Sequence, residues 1–76
     1  MPTILVGPIL AMEAEACPKI GDLLPLNSPY LARGLYQVVG VQNAIRGGKV
    51  FPELAVSCVG DVPDGAEAIW LTPVGC

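Results

Sequence analysis

The chain has 76 residues, three cysteines, no histidine, a formal net charge of −3 and 14% charged residues, where a soluble domain ordinarily carries about 25%. With four scattered bases, Lys19, Arg33, Arg46 and Lys49, it lacks the clustered cations that recognition of a nucleic-acid backbone draws on. No set of Cys and His ligands has the spacing of a zinc site, so neither metal nor another cofactor is expected.

The apolar start, Met1 to Met12, has no basic residue before it and contains Pro2 and Pro8. It is far shorter than the roughly 20 apolar residues of a membrane span. The chain therefore reads as mature, soluble and not bound to a membrane. Pro8 opens a segment, Ile9 to Ala16, with helical propensity, while the alternation from Met12 to Ala16 suits an extended conformation equally. Residues 1–18 are expected to form an extended or short helical N-terminal arm. Its apolar residues Ile4, Leu5, Val6, Ile9, Leu10 and Met12 are the expected contacts to other chains, because prolines keep such a segment from becoming a regular central strand. The competing expectation is that this segment closes the chain's own barrel.

Residues 19–76 are expected to form one small β domain. Ile20 to Leu26 is a short apolar stretch whose Pro25 suits a sheet edge, bulge or break. Asn27-Ser28-Pro29-Tyr30 collects turn formers, and Tyr30 and Leu31 beside it are further interface candidates. Leu35 to Ile45 is the strongest strand, with Gly40 marking a bulge or close backbone approach. Arg46-Gly47-Gly48-Lys49 reads as a hairpin turn into a return strand, Val50 to Val59. Gly60 to Gly65 is a loop in which Asp64-Gly65 forms a turn, and Ala68 to Thr72 is the last strand. Cys58 and Trp70 are expected in the core. The fold class is mainly β: a small bent sheet or partly closed barrel of the OB or SH3-like kind.

Catalysis by an activated nucleophile usually needs a base, most often histidine, held by a third group. The chain has no histidine, and no residue is marked as an activated acid, base or nucleophile, so the protein is read as no enzyme. The excess of apolar over charged residues points to association, since small monomers rarely expose large apolar patches.

Gly21-Asp22, Leu26-Asn27-Ser28-Pro29-Tyr30-Leu31 and Gly34-Leu35-Tyr36-Gln37-Val38-Val39-Gly40-Val41 together resemble the C-terminal small barrel of bacteriophage tail-hub and baseplate-hub proteins, over about residues 19–59. The chain departs from that pattern where it has Gln42-Asn43 and Arg46-Gly47-Gly48 in place of a histidine and an Asp-Gly turn. The resemblance implies a structural protein of a virion, made in the bacterial cytoplasm, whose partners are other virion structural proteins and copies of itself. A capsid decoration protein is the alternative among assembly proteins. A monomeric cytoplasmic adaptor or ligand-binding small barrel is the alternative of another class.

Overall fold

The computed structural model describes residues 2–74. Seven strands follow in order: β1 (Thr3–Val6), β2 (Leu10–Glu13), β3 (Leu23–Asn27), β4 (Gly34–Arg46), β5 (Lys49–Gly60), β6 (Ile69–Trp70) and β7 (Thr72–Pro73). They form one sheet in the order β6-β3-β4-β5-β1-β2-β7. Its two outermost strands are separated in the chain by Leu71 alone, so the sheet curls until its edges meet and nearly closes a barrel. The amide of Leu71 donates to the Asn27 carbonyl at 2.8 Å on one edge, and that of Val74 donates to the Ile9 carbonyl at 2.7 Å on the other. This is the mainly β, partly closed barrel expected from the sequence. No helix occurs among the described residues, and none is long and apolar enough to cross a membrane.

The N-terminal segment is no arm. Gly7, at φ +69°, supplies a left-handed conformation open to glycine at little cost. It reverses the chain between β1 and β2, which pair from Thr3↔Glu13 to Val6↔Leu10. Strand β1 also pairs in parallel with β5 through Leu5↔Glu53 and Val6↔Leu54. It therefore lies inside the sheet, and Ile4, Leu5, Val6, Leu10 and Met12 are buried. The prolines stand where they cost nothing: Pro2 precedes β1, and Pro8 sits in the turn.

Strands β4 and β5 form the expected long hairpin, turned by Gly47 and Gly48, both at positive φ. The register shifts between Val38 and Gly40, placing a bulge where Gly40 suggested one. The bulge also exchanges the faces of the strand. Tyr36 and Val38 are buried before it, whereas after it Val41 stands opposite the fully buried Leu54. One extra residue on a strand reverses the alternation beyond it, so Val41 shares a face with Leu54, while further out the buried residue is Ala44, on the other face.

Pro25 pairs with Leu35 on β4, and β6 meets β3 only at Leu26 and Asn27, so the proline faces a side without a partner. The single last strand expected over Ala68 to Thr72 is divided at Leu71, which is fully buried, while Trp70 beside it is 56% exposed and belongs to no core. Cys58 stands opposite the buried Tyr36 but near the end of β5, where no further strand covers it, and it is exposed like Cys17. Cys76 lies outside the described residues. The core joins Ile4, Val6, Leu10 and Met12 to Leu26, Tyr36, Val38, Leu54 and Leu71.

Candidate functional site

An apolar groove of about 410 Å³ lies between the β1–β2 turn, the β3–β4 loop and the middle of β5. Val6, Leu10 and Leu54 are buried at its floor, and Ile9 and Tyr30 are exposed at its rim. Five of the eight residues expected to contact other chains therefore converge here: Val6, Ile9, Leu10, Tyr30 and Leu31. Ile4, Leu5 and Met12 do not line it and are buried within the protein.

Backbone bonds fix both walls. The Gly7 amide donates to the Leu54 carbonyl at 3.0 Å, which ties the β1–β2 turn to β5. In the opposite loop the Tyr30 amide donates to Ser28 Oγ at 3.2 Å, and the Ser28 amide donates to the Leu31 carbonyl at the same distance. Tyr36 closes the loop's far end, its hydroxyl donating to the Ala32 carbonyl at 2.6 Å. Burial, with Cys58 alongside, pushes the Tyr36 phenol above its ordinary range. A loop whose backbone is held at both ends loses little freedom when a partner arrives. It presents the Tyr30 side chain 66% exposed.

No charged side chain lines the groove, and the Tyr30 hydroxyl is the one side-chain polar group in its lining. Such a surface accepts apolar groups and has little means of moving protons or stabilising developing charge. Among the described residues no three Cys, Asp or Glu side chains group as metal ligands. Asp61, Asp64 and Glu67 lie in the loop before β6. There Asp64 and Gly65 form a turn, and the Ala66 amide donates to the Pro63 carbonyl at 3.1 Å.

A second surface was not singled out by the sequence. Beyond the last β1 and β3 pairings, the β4–β5 hairpin continues as a two-stranded ribbon. Cross-strand partners share a face. One face therefore carries the Val41↔Leu54, Asn43↔Pro52 and Ile45↔Val50 pairs, and the other carries Gln42↔Glu53, Ala44↔Phe51 and Arg46↔Lys49. On the second face the Arg46 guanidinium reaches Glu53 Oε1 at 3.5 Å. On the first, Ile45 and Val50 are 69% and 63% exposed. Apolar alternation in the sequence names these residues, but only the ends of β1 and β3 leave them in solvent.

No family model, curated protein or solved structure matches this chain.

Proposed function

We propose that this protein is a structural assembly protein, a component of a bacteriophage tail or baseplate that packs in several copies against larger virion proteins. The observation that carries the assembly reading is the groove itself: an apolar recess without charge, rimmed by the exposed Ile9 and Tyr30. Buried aromatic anchors are the residues from which protein interfaces draw most of their energy. The assignment to a phage rests on the resemblance of residues 19–59, whose Gly-Leu-Tyr-x-Val-x-x-Val segment forms the first half of β4.

Co-expression with bacteriophage tail, baseplate and capsid proteins tests this reading. The expected result is a stable complex with a tail or baseplate protein that is lost in Ile9→Asp and Tyr30→Ala. A complex with the major capsid protein makes it a decoration protein instead. The groove volume also lies within the roughly 300–1,000 Å³ of small-molecule sites, which supports a second reading as a ligand-binding barrel. A monomer that binds none of these proteins, yet takes up a small apolar dye that the Ile9→Asp chain does not, supports that second reading.

A further inference from the structure

The outer edge of β4 is open. From Gly40 to Arg46 the strand pairs with β5 on one side, while β3 ends at the Leu23↔Gln37 pair and the Gly21–Asp22 turn makes its last bonds to Val38. Among the described residues, no strand lies beyond it. Unpaired strand edges are templates for another strand, and proteins that keep them free guard them with charges or prolines. The corresponding open stretch of β5, Lys49 to Pro52, has both kinds of guard. The stretch of β4 from Gly40 to Arg46 has no proline, and its one charge, Arg46, is held against its own chain, donating to the Ile45 carbonyl at 3.1 Å and reaching Glu53 Oε1 at 3.5 Å.

We infer that this edge pairs with the same edge of a second copy, β4 against β4 in antiparallel register about a two-fold axis at Asn43. The inference rests on the assembly reading but uses a surface separate from the groove. Asn43 is the midpoint of the unguarded stretch, so self-pairing uses all of it, and the contact is of the isologous kind that closes as a dimer. Val41 then stands opposite Ile45 of the partner subunit. A single row on the inward face runs from Leu54 through Val41 to the partner's Ile45 and the partner's Val50. Each exposed ribbon tip is thereby laid along the other copy's barrel. That adds side-chain burial to the backbone pairing, towards the about 800 Å² per partner of a stable interface, about one-sixth of the 4772 Å² surface of the chain.

Charge is also compatible with this register. Arg46 meets the partner's Gly40, which has no side chain to obstruct it. The two arginines stand six residues apart along the paired strands, roughly 20 Å, beyond the about 8–10 Å over which exposed charges act at ordinary salt.

Sedimentation equilibrium of the full chain should give twice the 7.9 kDa mass. The paired substitution Val41→Lys with Ile45→Lys places guards on the edge at exposed positions, and should return the mass to that of the monomer with the thermal transition retained. Residues on the two-fold of an antiparallel pair have Cα atoms about 4.5–5.5 Å apart, within disulfide range. With Cys17, Cys58 and Cys76 replaced by serine, an Asn43→Cys chain should therefore oxidise to a covalent dimer much faster than a Ser57→Cys chain, and this arm does not depend on the lysine variant folding. A chain monomeric at all concentrations, equal oxidation of the two cysteine variants, or a dimer that survives the lysine pair overturns the inference. Ile9→Asp leaves the edge untouched, so loss of virion-protein binding with the dimer retained counts against the groove's role and not against this pairing.

Discussion

Strands β4 and β5 are core at one end and surface at the other, although both ends are built from the same kinds of residue. Near the barrel Val38 is 1% exposed and Leu54 is fully buried, whereas towards the turn Ile45 and Val50 are 69% and 63% exposed. The difference comes from their neighbours. In the barrel, β3 flanks β4 and β1 flanks β5, so inward side chains meet others across the interior. Beyond the last pairs of β1 and β3 the hairpin continues alone, and there small Ala44 is buried while the larger Ile45 and Val50 are left in solvent. Hydropathy names the residues able to be buried, and topology decides which of them are.

Removing residues 2–13 should abolish the distinction altogether. It takes away β1, β2 and five buried side chains, so the expected outcome is a chain with no cooperative thermal transition by circular dichroism. A folded remainder would show that β3, β4 and β5 form a core without them. Less drastically, Leu54→Ala should cost about 2–5 kcal/mol in denaturant unfolding, as large-to-small changes in cores do. Gly34→Ala probes the same barrel end by overpacking. A methyl there lies 3.1 Å from the Gly60 carbonyl oxygen and 3.3 Å from Cys58 Sγ, and the expected cost is about 1–3 kcal/mol.

Tyr36→Phe removes one hydrogen bond and should cost about 1 kcal/mol at neutral pH. It should also flatten part of the alkaline limb of the stability profile. Because the folded state holds the Tyr36 phenol above its ordinary range, its contribution is complete below the unfolded value, about pH 10, and is lost as pH rises towards the folded value. Chemical denaturation of both chains between pH 8 and 11 measures this, and parallel curves would show that Tyr36 does not titrate in that way. The smallest effect belongs to the ribbon: Arg46→Ala breaks a half-exposed ion pair and should change stability by about 0–1 kcal/mol.

The hairpin, its Gly47–Gly48 turn, the bulge near Gly40 and the Asp64–Gly65 turn were legible because each depends on local alternation or on residues that accept unusual backbone angles. The place of β1 was not. Its partner on one side is β5, some fifty residues away and parallel to it, and no local pattern encodes such a pairing. Pro2 and Pro8 therefore suggested an arm where they mark the boundaries of β1. The same limit explains Trp70 and Cys58: composition favours their burial, but the buried member of the last segment is Leu71 and the end of β5 has no cover. The groove was half legible. Its residues stood in two separate stretches of candidates, and only closure of the barrel brings Ile9 within one recess with Tyr30.

That closure constrains how the chain reaches its native state. Leu71 joins the two outermost strands, so residues 69–73 must dock on β3 and on β2 together, the latter across a sequence separation of 61 residues between Thr72 and Ala11. Contacts of such range come late and slow folding, because the loop must be closed before they stabilise anything. During synthesis, β1 through β5 are made before the segment that fastens them. Both sheet margins of the nascent chain therefore stay bare until residues 69–73 emerge, and those residues turn a curved sheet into a barrel.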